Sequence, residues 1–120
     1  MSQLRAEWSR WHPFHRMSVA CLDTLIHAAQ EVYFAPQEVM ISPAHGVIRE
    51  VYLLRRGTVI GRREGSLAFS YEMGDLFPLG AAMARRPVTA TYMAQGDVFA
   101  WRLPLSVVQE VASRKLNKTK

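Results

Sequence analysis

The side chains in this sequence whose types invite chemistry are three arginine pairs, Arg55-Arg56, Arg62-Arg63 and Arg85-Arg86, four histidines, and a single cysteine, Cys21. His12 and His15 stand three residues apart beside Trp11 and Phe14 and could share a metal with His27 or His45. No acidic or thiolate residue accompanies them at ligand spacing, so capping and packing at the domain entrance is the favoured reading and no metal is expected. Cys21 falls on the apolar face of a helical pattern, where a free cysteine behaves as a small hydrophobe rather than a nucleophile. A serine triad, paired carboxylates and a Walker loop are all lacking, and Gly57, Gly61 and Gly65 are spaced as turns rather than as a phosphate cradle. The chain is therefore expected not to be an enzyme.

The 15 Lys and Arg against 10 Asp and Glu give a net charge of +5 over 120 residues, which favours anionic partners without choosing one. Solvated turns account for most of the arginine pairs, and a frayed terminus accounts for Arg114-Lys115-Leu116-Asn117-Lys118-Thr119-Lys120. Nucleic-acid binding would need a basic stripe with stacking aromatics or a recognition helix, and is disfavoured. With one cysteine there is no intrachain disulfide, in keeping with a reducing compartment. Met1 to Trp8 carries no apolar secretory core, and no apolar run approaches the ~20 residues that span a bilayer. A cytoplasmic location is expected.

The elements that must position these groups follow from periodicity. Met17, Cys21, Leu22, Leu25, Ile26, Ala29, Val32 and Tyr33 recur at three and four, which predicts a helix over 17–31 with Ser18 as N-cap and Asp23 near its positive end. The period then changes to short strands at 32–34, 39–41, 51–54, 58–61 and 67–71, parted by turns at Pro36-Gln37, Ser42-Pro43, Arg56-Gly57 and Arg63-Glu64-Gly65. The stretch 74–87, rich in small residues, is broken by Pro78 and Pro87 and reads as a loop with one short helical turn. Strands at 88–93 and 98–103 flank a turn at Ala94-Gln95-Gly96-Asp97. Pro104 suits the first turn of a closing helix from Leu105 to about Arg114, with Leu105, Val108 and Val111 inward. The expectation is one mainly β domain with flanking helices, an antiparallel β-roll (a jelly-roll-like double-stranded β-helix). It divides into an N-terminal segment 1–16, a helix 17–31, a roll 32–103 with its loop at 74–87, and a helix and basic tail 104–120. Trp8, Trp11 and Phe14 crowd the first segment; capping of the roll is favoured, and the alternative is a docking surface for a partner or a second copy.

The order of these signals resembles the cyclic-nucleotide-binding domain over roughly 14–111. Pro13-Phe14, Phe34-Ala35-Pro36-Gln37-Glu38-Val39-Met40 and Val51-Tyr52-Leu53-Leu54-Arg55-Arg56-Gly57-Thr58-Val59 look like its early strands. Gly74-Asp75-Leu76-Phe77 looks like the entry to its phosphate-binding cassette, and Thr89-Ala90-Thr91 like the exit. In nucleotide-binding members the cassette opens Phe-Gly-Glu and closes Pro-Arg-small-Ala-Thr. Glycine lets backbone approach, glutamate takes the ribose hydroxyl, arginine pairs with the cyclic phosphate, and free N–H groups complete the anion site. Counted from Phe77, the glycine position is Pro78, the glutamate position Leu79 and the arginine position Val88. Each lost charge-assisted bond would forfeit roughly 1.5–3 kcal/mol, and Pro78 removes a backbone donor.

Phe77-Pro78-Leu79-Gly80 and Arg86-Pro87-Val88-Thr89-Ala90-Thr91-Tyr92 look most like a bacterial subgroup with a degenerate cassette, where the domain precedes CBS domains and a nucleotidyltransferase-like region. The resemblance implies a regulatory sensor with those downstream domains as partners if the chain is part of a longer protein, no cofactor, and a homodimer as a further option. Its ligand pocket would be drawn from Leu76, Phe77, Pro78, Leu79, Gly80, Ala81, Ala82, Arg85, Arg86, Val88, Thr89 and Ala90. The alternative is a true cyclic-nucleotide (or other nucleotide) receptor that uses the backbone N–H groups of Gly80, Ala81 and Ala82 with Arg85 or Arg86 as counter-charge. Both arginines precede Pro87, which puts them before a rigid turn.

Overall fold

The computed structural model describes residues 2–11, 14 and 17–118. His12, Pro13 and His15, and the side chains of the basic tail from Arg114, lie outside the described residues. Two helices open the chain, α1 (Ser2–Ser9) and α2 (Val19–Ala28). Six strands follow: β1 (Gln30–Phe34), β2 (Val39–Ile41), β3 (Glu50–Arg63), β4 (Ser66–Tyr71), β5 (Leu76–Phe77) and β6 (Thr91–Pro104). A short helix α3 (Leu79–Met83) lies between β5 and β6, and α4 (Leu105–Lys118) closes the chain.

Ser18 caps α2 as expected, its hydroxyl accepting from the Cys21 N–H at 3.2 Å. The helix stops at Ala28 rather than continuing to 31. β-branched Val32 and aromatic Tyr33 and Phe34 instead pair with Ala100, Phe99 and Val98 of β6, where the ladder outweighs helical periodicity. The N-terminal segment 1–16, to which the sequence pattern assigns no element, is helical over α1. Trp8 and Phe14 are buried, with ring centroids 5.6 Å apart, and Trp8 stands 6.1 Å from Trp101. These two aromatics are therefore core, and the docking alternative does not apply to them.

The expected strand pairs 51–54 with 58–61 and 88–93 with 98–103 are in fact two continuous long strands. β3 and β6 pair antiparallel from Glu50↔Pro104 to Arg62↔Thr91. Register shifts between Leu54 and Thr58 mark a bend rather than a turn. Gly57, with φ 100°, sits at that corner, and a Cβ there would run into the backbone of Asp97 and Val98. Glycine is needed for this close crossing, and that is why the sequence signal looked like a chain reversal. Gly96 likewise lies inside β6, Pro104 is the last strand residue rather than part of the closing helix, and Val88 to Ala90 belong to the loop before β6.

Each long strand thus serves two halves of the roll. The first half of β3 joins the second half of β6, with β1 and β5 at the edges; the second half of β3 joins the first half of β6, with β2 and β4. The helices cover the outer face of the first half, where Val51, Leu53 and Leu103 are fully buried. Between the halves runs an aromatic interior, with Phe34 on Tyr52, Tyr52 on Phe77, and Phe77 stacked on Tyr71 at 4.5 Å and 10°.

Candidate functional site

On the inner face of the second half, strand pairing sets Val59 opposite Tyr71 and Gly61 opposite both Phe69 and Tyr92. The Phe69 ring lies directly over Gly61, where any Cβ would penetrate it. Phe69 meets Tyr92 edge-on at 5.1 Å and Tyr71 at 5.4 Å, giving a continuous aromatic floor. Burial, aided by the adjacent Tyr71 hydroxyl, pushes the Tyr92 phenol far above its ordinary value of 10.0, so it stays a neutral hydroxyl.

The opposite wall is the segment 78–90. Pro78 precedes α3, and the helix ends in a chain reversal: Arg85 N–H donates to Ala82 O at 3.2 Å and Arg86 N–H to Ala81 O at 3.0 Å. This is the Schellman pattern with Arg85 at the left-handed position, φ 57°. Both Arg85 and Arg86 are exposed here, but only Arg86 borders the cleft that the loop forms with the sheet. Floor and wall border a cavity of about 390 Å³ that is open to solvent on one side, within the size range of small-molecule sites.

Of the residues singled out in the sequence, Pro78, Leu79, Gly80, Ala81, Arg86, Val88, Thr89 and Ala90 line this cavity. The other four do not. Phe77 and Ala82 are fully buried in the core, and Arg85 is exposed and outside the lining. Leu76 instead lines a separate apolar cavity of about 200 Å³ with Phe14, Met17, Leu25, Met83, Val108 and Val111, between the helices and the loop. Leu79 borders both spaces. Arg86 reaches the cavity although it precedes Pro87, because the reversal after α3 and not the proline sets its direction.

The sequence reading missed Arg63, Phe69, Tyr71 and Tyr92, which also line the cavity. In the sequence Arg63 reads as part of a solvated turn. By strand alternation Val59, Gly61 and Arg63 share the inward face of β3, and Arg63 Nη2 donates to Thr89 Oγ1 at 3.1 Å. Its neighbour Arg62 faces the other way and donates to Gly65 O at 3.4 Å. The available signal was the alternation of Phe69 and Tyr71 in β4, which marks the inner face of a half-solvated strand.

The remaining candidates have local roles. His27 Nδ1 lies 2.9 Å from Asp23 O, and His45 Nδ1 accepts from Ser42 N–H at 3.0 Å. Cys21 is buried in α2. Among the described residues no group of three or more His, Cys, Asp or Glu could hold a metal, and no helix is long and apolar enough to cross a membrane.

Comparison with solved structures places this architecture. The C-linker/CNBHD of zELK channels, crystallized in the presence of cAMP, superposes with a TM-score of 0.73 at 18% identity, over 98% of this chain and 64% of that one. cAMP-bound PfPKA-R gives 0.77 at 14% identity, over 92% and 40%. The regulatory subunit of a cAMP-independent protein kinase A from Trypanosoma brucei gives 0.72 at 17% identity, over 80% and 36%. The chain spans less than two thirds of the length of each of these three structures. The fold is that of the cyclic-nucleotide-binding β-roll. No protein-family model and no curated protein matches the sequence.

Proposed function

We propose that this chain is a regulatory sensor module whose cassette cavity takes a small ligand other than a standard cyclic nucleotide. One observation carries the reading: the positions that would supply the ribose-binding glutamate and the phosphate-binding arginine are Leu79 and Val88, and both line the cavity. Neither side chain can accept a ribose hydroxyl or pair with a phosphate, so a cyclic nucleotide held there would lack the two charge-assisted contacts that these positions would supply. In the fuller reading the module works in the cytoplasm of a bacterium, ahead of CBS domains and a nucleotidyltransferase-like region, and passes ligand occupancy to them through α4.

A second reading, a cyclic-nucleotide receptor with altered contacts, draws on the placement of Arg86 in the cavity lining. Isothermal calorimetry with cyclic AMP and cyclic GMP at moderate salt separates the two. No binding heat is expected from the wild-type chain. Micromolar binding that disappears in Arg86→Ala would establish the receptor instead.

A further inference from the structure

The cavity carries positive charge from a place that neither the cassette motif nor the arginine pair beside it specifies. Resting on the reading of this cavity as a ligand site, we propose that Arg63 of β3 is its principal anion-binding residue, and that the ligand is a small anion carried on a flat or apolar body.

The charge inventory of the lining sets the ligand's sign. Arg63 and Arg86 are its charged residues, and no Asp, Glu, Asn or Gln side chain lines the cavity. The remaining side-chain polar groups are the hydroxyls of Thr89, Tyr71 and Tyr92. Such a set offers many donors and no carboxylate to receive a cation, the pattern that suits a carboxylate, sulfate or phosphate.

Position selects Arg63 within that set. Its bond to Thr89 ties the guanidinium across from the sheet to the loop, one residue beyond Val88. The charge absent from Val88 is thus delivered from the opposite wall by the solvent-exposed last residue of β3. A guanidinium carries five N–H donors, so a bond to one hydroxyl leaves capacity for a bidentate anion contact. The ring system of Phe69 and Tyr92 on one side, and Leu79 and Val88 on the other, supplies apolar surface for the rest of the ligand.

The test titrates the full chain with phenyl phosphate, with benzyl alcohol as the neutral analogue, and follows the backbone amides of Thr89, Ala90 and Tyr92 by NMR. Phenyl phosphate is expected to shift these amides. Arg63→Gln should weaken binding roughly ten- to hundredfold, the loss of a charge-assisted contact. Arg86→Gln should weaken it less, and the outward-facing Arg85→Gln by less than about twofold, since a solvated charge beyond the site acts only through screened attraction. Retained amide dispersion in each variant keeps a folding defect from passing as lost binding. Unchanged affinity in Arg63→Gln, equal binding of benzyl alcohol, or no anion-induced shift at these amides would each overturn the assignment. Arg63-independent binding of phenyl phosphate would overturn this assignment alone. Cyclic AMP held through Arg86 and indifferent to Arg63→Gln would overturn the sensor reading as well.

Discussion

The half of the roll beneath the helices and the half that carries the cavity are made from the same two strands, yet they are buried differently. Val51, Tyr52, Leu53 and Leu54 of β3 are buried in succession, because helices cover one face and the aromatic interior the other. Past the bend at Gly57, buried Val59 and Gly61 alternate with half-exposed Ile60 and exposed Arg62. That is the signature of a sheet with one face in water. The first half can spend every side chain on packing. The second keeps an open inner edge, and there Arg63, Tyr92 and Thr89 can be both held in place and reachable by a ligand.

Paired truncations test this contrast most strongly. Leu53, fully buried in the covered half, should lose about 2–5 kcal/mol of stability as Leu53→Ala, through lost transfer energy and the cavity left behind. Leu67, 64% exposed on the other half, should change stability by less than about 0.5 kcal/mol as Leu67→Ala. Urea unfolding midpoints at constant slope measure both, and equal losses would break the distinction between the halves.

A smaller effect sharpens the account of the cavity wall. Arg85 holds a left-handed φ of 57° at the end of α3, a conformation that costs a non-glycine residue roughly 1–2 kcal/mol. Arg85→Gly should therefore raise thermal stability by up to about 1 kcal/mol, the greater unfolded-state freedom of glycine offsetting part of the gain. Ligand affinity should be unaffected, since Arg85 is outside the cavity lining.

The third effect is absent at neutral pH. Burial raises the phenols of Tyr92 and Tyr52 above their ordinary value of 10.0. In the unfolded chain these groups release protons near pH 10, whereas the folded chain keeps them bound, so the folded state holds more protons above that point. Stability should be level up to about pH 10 and fall as pH rises further, with a shallower fall in Tyr92→Phe. Denaturant midpoints measured across the alkaline range check this, and an identical slope in the variant would remove Tyr92 as a contributor.

Much of the architecture was legible in local sequence because local physics produced it. Ser18 followed by an apolar stripe is a helix start in any context, and Val39 to Ile41 emerged with the bounds its pattern implied. The Arg63-Glu64-Gly65 signal marks a real hairpin, closing with Arg63 opposite Ser66. The reading failed where a glycine served a neighbouring strand rather than a turn. Gly57 and Gly96 look like chain reversals in sequence, and only the crossing of β3 and β6 explains them as bends within continuous strands. The aromatic cluster at Trp8 could not reveal its partner Trp101, far along the chain.

For the candidate site the division is similar. The sequence by itself determined the uncharged side chains at positions 79 and 88 and the overall excess of positive charge. The stretch 74–87, read as a loop with one helical turn, holds α3 but also strand β5, which pairs with β3 and so depends on the tertiary fold. Tertiary structure decided that Arg63 of the pair Arg62-Arg63 and Arg86 of the pair Arg85-Arg86 border the cavity, and that Arg55-Arg56 does not. Arg86 is brought to the cavity's open rim by the reversal after α3, and Arg63 by its parity on β3. Residue types are encoded one position at a time, but a site is a meeting of side chains from separate segments. The directions in which those side chains point exist only once strand register and helix termination are set.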